Sequence, residues 1–484
     1  MNANVIFDDS LPVSDQARQL AGLSAYGDLL FRGQRHVERF EAAARGAGWT
    51  EFLRVRDARD AEAALAALRR EGGPRPCLYV PASLAWSGDP AELESLLKNL
   101  LLAGLNVQIA AAGASLICAD ADTLAGLLPS LGHHRGNAQA ALLAALPFAR
   151  TPPELVNLAG APAFVEYLTG SFAVRHFNAI ENERYVVRKV STDRAKLKRE
   201  FDYFSYLPPA MRMYFVNAFD FEDDGTSASY RMERVFAPDV AIQWVHGSLG
   251  RAAFGNLLDR LMHYLTMRAH RKVPDAEGRR VAEEIYLTKV VDRLQSLRGH
   301  AGFARFDVML RQFPGLHEGI DGLEARYRRL FRSLGGKRGF DRLEMGHGDL
   351  CMSNILYAPD TELMKFIDVR GATGEDDMYG DRMYDVAKLS HSILGRYDYI
   401  NNGVYRLDLD DDAGLRLTIA ERDQAEMKAL FVARLEQAGY DVRLLRLYEA
   451  SLFLSMLPLH MDRPRNVLAF AATAAGILDW IEAN

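Results

Sequence analysis

His347-Gly-Asp-Leu-Cys-Met-Ser-Asn-Ile-Leu356, with the apolar run Met364-Lys-Phe-Ile-Asp368 behind it, decides how the rest of this chain is read. The pattern is a short polar loop, a strand, a turn at Ala358-Pro359-Asp360, and a second strand closing on a carboxylate. Three of its oxygen-bearing side chains stand out: Asp349, Asn354 five residues on, and Asp368 nineteen residues on. Phosphoryl transfer needs such a set, because it asks for positioned groups more than for covalent chemistry. One carboxylate orients the attacking hydroxyl, and hard oxygen ligands hold a divalent cation against the phosphates. Asp349 is the candidate for the first task, Asn354 and Asp368 for the second. His347 is read as bracing the loop.

Taken together, His-x-Asp-(x)4-Asn, an apolar strand and a second apolar strand ending in Asp resemble the catalytic-loop motif of the aminoglycoside phosphotransferase and choline kinase superfamily, a branch of the protein-kinase-like fold. The resemblance runs from about Phe164 to the C-terminus, some two-thirds of the chain. It implies an α+β bilobal fold, with a β-rich small lobe over 160–235 and a helical large lobe over 236–484. It also implies ATP and Mg²⁺ as cofactors and a hydroxyl of a small molecule or lipid/glycan precursor as acceptor. Gly380-Asp-Arg-Met-Tyr-Asp-Val-Ala-Lys-Leu389 resembles the family's Asp-x-x-x-Asp-apolar-Ala segment, with Asp381 as a helix N-cap and Asp385 as a brace for the loop. Where many relatives carry an acid after Asp368, this chain has Arg370, which suggests an anionic group nearby.

The small lobe is traced from the same resemblance. Leu168-Thr-Gly-Ser-Phe-Ala-Val174 reads as the first strand and a phosphate-covering turn, with the Ser171 hydroxyl near the phosphates. Tyr185-Val-Val-Arg-Lys-Val190 is the strand bearing the phosphate-binding cation. Strand alternation lets only one of Arg188 and Lys189 face the cleft, and Arg188, directly behind the apolar run, is the preferred choice. Glu200, on a helix whose Leu197, Phe201 and Phe204 share one face, is the carboxylate that orients it. Backbone groups of Glu233 to Val235 fall where an adenine edge would be read. In the late helices, His460, Asp462 and Arg463 are candidate acceptor contacts.

The 484 residues leave room for a further domain ahead of the lobes. Strands at Val5–Phe7, Phe52–Val55 and Cys77–Val80 alternate with helices at Val37–Arg45, Ala61–Arg70 and Pro90–Ala103, which predicts a parallel, doubly wound sheet over 1–150. Their order faintly resembles a sugar-nucleotidyltransferase (GT-A-like) domain. The Gly-rich phosphate loop is replaced by Asp8-Asp9-Ser10-Leu11-Pro12, so a degenerate domain is expected, serving packing, dimerisation or substrate delivery. Asp8, Asp9 and Asp28 remain candidates for a cation.

The net charge of -6 argues against a nucleic-acid partner. Three scattered cysteines give no metal spacing and fit a reducing, cytoplasmic setting. Asn99–Cys118 is uncharged over a spanning length, but its glycines, asparagines and glutamine read as a helix end, a turn and a buried strand at Val107–Ala111, not as a transmembrane segment. Two other readings stand beside the small-molecule kinase: a noncatalytic kinase-like nucleotide-binding module, and a bifunctional nucleotidyltransferase-kinase. A protein kinase is disfavoured because no activation segment with an Ala-Pro-Glu-type anchor lies between Asp368 and Asp385.

Overall fold

The computed structural model describes residues 4–31, 34–71, 75–103, 106–127, 146–160, 163–164, 167–168, 178–182, 185–336, 338–410 and 414–484. The chain divides into two compact units, Met1–Ala173 and Val174–Asn484.

In the first unit the strand and helix positions follow the apolar patterning. They are β1 (Asn4–Asp8), α1 (His36–Gly46), β2 (Glu51–Val55), α2 (Ala58–Glu71), β3 (Pro76–Pro81), α3 (Pro90–Ala103), β4 (Val107–Ala111), β5 (Ala114–Asp120) and α4 (Ala121–Leu127). The sheet order is β2-β1-β3-β5-β4. β1 pairs parallel to β2 and β3, but β5 pairs antiparallel to both β3 and β4. The expected all-parallel sheet is therefore mixed. The cause is the Ala112-Gly113 turn, where both residues have positive φ (43° and 89°), the geometry that turns a chain straight back on itself. One sheet face is closed by a core that includes Ile6, Tyr79, Ile117, Leu68 and Leu124. Leu155–Asn157 pairs with Leu84–Trp86, and the Arg39 guanidinium donates to the Tyr167 hydroxyl at 2.9 Å, so the unit continues beyond the expected end at residue 150.

The acids after β1 are engaged by donors of their own unit. Asp8 accepts from the Tyr79 hydroxyl (2.6 Å), and Asp9 accepts from Gly27 N (3.0 Å) and from Arg54, which also reaches Asp28 (2.9 Å).

The second unit opens with an antiparallel sheet, β6 (Asn178–Asn182), β7 (Val186–Ser191), β8 (Ala218–Asp223) and β9 (Ala228–Glu233), in the order β6-β7-β9-β8. Against it packs α5 (Arg194–Tyr206), capped by Asp193, whose side chain accepts from Lys196 N. The apolar face read from the sequence is the one it buries: Leu197, Phe201 and Phe204 join Tyr230 and Phe221. The turn and strand expected over 168–174 lie outside the described residues beyond Leu168, and Ser171 with them.

The rest of the unit is mainly helical. α6 (Arg251–Met267) buries the predicted stripe of Phe254, Leu257, Leu258, Leu261 and Leu265. A three-stranded antiparallel sheet follows, β10 (His270–Lys272), β11 (Arg342–Met345) and β14 (Tyr379–Asp381), in the order β10-β11-β14. Between β11 and β14 lies the hairpin of β12 (Ile355–Ala358) and β13 (Leu363–Phe366). Then come α7 (Tyr384–Ile393), α8 (Val442–Met456) and α9 (Pro464–Ala483). α9 is long and apolar enough to cross a membrane, yet 61% of its most apolar stretch is buried inside the unit, as in a core helix. Asp381 is not the N-cap of α7, which is Met383. It ends β14, where it accepts from Met383 N and the Tyr286 hydroxyl (both 3.0 Å) and pairs with Arg338.

Candidate active site

The loop between β11 and β12 is held from below. His347 is fully buried and stacked on Phe215, with ring centroids 5.9 Å apart. Its Nδ1 accepts from Asp349 N (3.1 Å), so its Nε2 carries the proton and donates to Ile367 O (2.9 Å). Burial pulls the imidazole below its ordinary pKa and keeps this tautomer neutral. The ring thereby ties the loop to the end of β13.

Asp385, in the first turn of α7, accepts from His347 N (2.8 Å) and Gly348 N (2.9 Å), while Tyr203 of α5 donates to Gly346 O (2.9 Å). Asp385 is 1% exposed, and its charge is met by Arg268 at 3.5 Å, which also pairs with Glu344. Removing one partner from such a buried set costs about 3–5 kcal/mol.

On this support, bonds link the stretches that carry Asp349, Asn354 and Asp368. Asn354 donates its Nδ2 to Asp349 O (2.8 Å), leaving its Oδ1 as the oxygen that can face a cation, and its own carbonyl accepts from Ile367 N (3.0 Å). Asp368 follows at φ 59°, a left-handed backbone that Asp tolerates better than most residues. Among the described residues no group of three His, Cys, Asp or Glu forms a ready metal cage. Two side-chain oxygens completed by phosphates and water suit Mg²⁺, which rarely takes an all-protein cage.

The cation that meets Asp368 is Lys189, not the preferred Arg188. Lys189 is 3% exposed, and its Nζ lies 2.5 Å from Glu200 Oε2 and 2.6 Å from Asp368 Oδ1. Burial alone would lower its pKa, but the carboxylates of Asp368 and Glu200 outweigh that and hold it above the usual lysine range. The Lys189 charge in turn holds Asp368 below the usual carboxylate range, whereas burial pushes Glu200 up. Arg188 points to the other face of the sheet, toward the Ser229 hydroxyl (3.1 Å) and Glu222 (3.5 Å). A strand cation paired to a helix carboxylate, over a braced His-x-Asp loop and a hairpin ending in Asp, is the arrangement found in kinase-like folds. The second unit is protein-kinase-like.

Structural comparison of this kinase-like chain returns aminoglycoside phosphotransferases. APH(3'')-Id from Streptomyces rimosus, solved with ADP and streptomycin, is 22% identical at a TM-score of 0.33, over 57% of this chain and 86% of that one. A thermostable mutant of APH(4)-Ia, in a ternary complex with AMP-PNP and hygromycin B, is 12% identical at a TM-score of 0.38, over 65% and 97%. A type VIII aminoglycoside-3'-phosphotransferase is 16% identical at a TM-score of 0.31, over 56% and 84%. No family model matches the sequence, and no curated protein does.

The remaining candidates fall in different places. Glu233 N donates to Asn217 O (2.9 Å) and Arg234 N to Tyr185 O (3.0 Å), so Val235 is the one of the three whose N–H these bonds do not use; Glu233 itself pairs with Lys365 (3.1 Å). Arg370 is exposed, with its stem against Gly348, next to Asp349 in the loop. His460 packs edge-on to Phe470 (5.5 Å), while Asp462 and Arg463 are exposed and lie 3.9 Å from each other. Three contributors escaped the sequence reading. Arg268 and Tyr203 carry no local signal. Lys388 pairs with Asp349 at 2.8 Å, and one sign of it was in the sequence: it follows the brace Asp385 by three residues on a helix, hence on the same face.

Proposed function

We propose that this protein is an ATP-dependent, Mg²⁺-requiring phosphotransferase that moves the γ-phosphoryl group to an alcohol of a small molecule or of a lipid or glycan precursor. The observation that carries this reading is Lys189, which joins the helix carboxylate Glu200 to Asp368 under a loop that presents Asp349. In it, Lys189 takes the α- and β-phosphate oxygens and Glu200 keeps it aimed. Asn354 Oδ1 and the Asp368 carboxylate would hold Mg²⁺, which would supply charge neutralisation for the transferring phosphates. Asp349 accepts the hydrogen bond of the acceptor hydroxyl and aligns it for in-line attack; the O–H proton leaves to Asp349 as the new P–O bond forms and the bond to the ADP oxygen breaks. Val235 marks the adenine edge, and Arg370, beside the loop, meets negative charge on the acceptor or the moving phosphoryl group. His460 belongs with the acceptor end; Asp462 and Arg463, on the surface, are weaker candidates.

The similar solved enzymes act on aminoglycosides according to their names, and their complexes contain ADP or AMP-PNP. The nucleotide is consistent with the reading, while the acceptor is a separate question. The test is ADP release from Mg·ATP against pools of hydroxylated metabolites, for the native protein and for Asp349→Asn. Loss of turnover by about 10³-fold or more, with nucleotide binding retained, is expected for a group that acts on the acceptor alone. Turnover unchanged in Asp349→Asn would refute the assignment.

A further inference from the structure

Among the described residues three arginine or lysine side chains are buried: Arg39, Lys189 and Arg268. Lys189 lies between the carboxylates of Glu200 and Asp368, and Arg268 between those of Glu344 and Asp385. Arg39, on α1 of the first unit, differs. It is 8% exposed, and among the described residues no aspartate or glutamate pairs with it. Its Nη1 donates to the Tyr167 hydroxyl (2.9 Å), and its guanidinium lies 4.5 Å from the centre of the Phe31 ring, which is stacked on Tyr167. A neutral hydroxyl and an aromatic face offset part of the cost of burying a cation, but neither brings a full negative charge.

The acids around it are engaged elsewhere. On its own helix Glu38 accepts from Arg35 N (3.1 Å) and Glu41 pairs with Arg45 (2.7 Å). Asp9 and Asp28 are taken by Arg54, and Asp8 by Tyr79 and Ser10. The charge of Arg39 falls instead on a neutral neighbour: His36, one turn back on α1, is pulled down to about 3 by burial first and by Arg39 next. The Nε and Nη2 of Arg39 have no protein partner, yet neither is sealed from solvent, so this side of the guanidinium opens outward from a buried stem. Two neighbouring N–H groups of that kind match the two oxygens of a carboxylate. The charge matches as well: Arg54, the other cation felt by His36, is committed to Asp9 and Asp28, which leaves a single positive charge to be answered.

We propose that Arg39 anchors a ligand site in the first unit, which takes the carboxylate group of a small metabolite. Phe31 and Tyr167 hold the guanidinium flat and aimed, and the incoming carboxylate supplies the negative charge that Lys189 and Arg268 receive from their own chain. The site stands apart from the phosphotransferase reading and does not depend on it.

Scanning calorimetry of the full chain, in sodium acetate and in sodium chloride at equal ionic strength, tests it with acetate as the probe. In the native protein one unfolding transition should climb with acetate, by about 3 °C or more at a tenfold excess over the Kd that the same curve yields. Arg39→Met keeps the stem and loses the charge, and its midpoints in the two salts should agree within about 1 °C. Arg39→Lys keeps the charge and loses the paired N–H groups; it should retain less than about half of the native shift, and it decides the matter if Arg39→Met does not fold. Equal midpoints of the native protein in the two salts would overturn the proposal. So would an acetate shift of the same size in Arg39→Met, which places the anion elsewhere and leaves Arg39 a packing role, or an undiminished shift in Arg39→Lys. An Arg39-dependent shift larger in inorganic phosphate than in acetate would overturn the carboxylate assignment in favour of a phosphate group.

Discussion

At the scale of single residues, Arg188 and Lys189 give the sharpest contrast in the molecule. They are adjacent, carry the same charge and face opposite sides of one strand. Lys189→Met should raise KM for Mg·ATP by at least about tenfold, since an opposed charge at close range is worth 1.4 kcal/mol or more. Arg188→Ala should leave it unchanged and move stability by about 0.5 kcal/mol or less; steady-state kinetics on both variants checks this. The sequence could not choose between them because alternation gives the parity of a strand but not its sign. The sign lies in the register: Lys189 is directly opposite Tyr230, within the apolar alternation Ala228-x-Tyr230-x-Met232 of the inner face. That pairing is non-local, whereas the spacing of Asp349, Asn354 and Asp368 runs along one short stretch, a loop and the hairpin after it, and is read directly from the sequence.

A second residue-scale prediction concerns pH. Asp398 is 1% exposed, and burial raises its carboxyl from 3.8 to about 7, with the Ser392 hydroxyl pulling the other way. Between those two pH values the unfolded chain has lost this proton and the folded chain keeps it. The contribution of Asp398 to stability is thus full below the lower value and is lost as pH rises through the upper one. Asp398→Asn removes the dependence, so thermal unfolding followed from about pH 4 to about pH 7 should find the variant gaining on the native protein by at least about 1 kcal/mol at the upper end.

At the scale of elements, the site depends on how closely the segment after β13 passes the middle of α5. Gly371 has φ 86°, and a Cβ there would lie 2.9 Å from Glu200 N and 3.0 Å from the Arg199 carbonyl carbon. Backbone cannot step aside as a side chain can. Gly371→Ala should cost about 1–3 kcal/mol from the left-handed backbone, and more from the clash. Because the helix it displaces carries Glu200, nucleotide affinity should fall together with the melting temperature, which separates this change from an ordinary loop defect. The sequence marks Gly371 only as a glycine after Arg370; the close approach exists once α5 is docked. The same holds in the first unit, where helices and strands were legible one by one, but the direction of β5 depended on two positive φ values at Ala112 and Gly113.

At the scale of the whole molecule, every residue assigned to phosphate, metal or loop support among those described lies in Val174–Asn484, and none in Met1–Ala173. Two units with separate cores should unfold as two calorimetric transitions. Mg·ATP should raise the transition of Val174–Asn484 alone, by about 2.7 kcal/mol of stabilisation at a hundredfold excess over Kd. A uniform shift of both transitions would count against placing the nucleotide in one unit.

Lys189 meets Asp368 directly, at 2.6 Å. In the proposed reaction the phosphate grip and the magnesium seat would thus be neighbours whose charges answer each other. A nucleotide bound without its cation would draw the lysine off an aspartate left unneutralised, and a cation bound without nucleotide would draw the aspartate off a lysine. On that proposal Mg²⁺ and ATP would each tighten the hold on the other by the same factor.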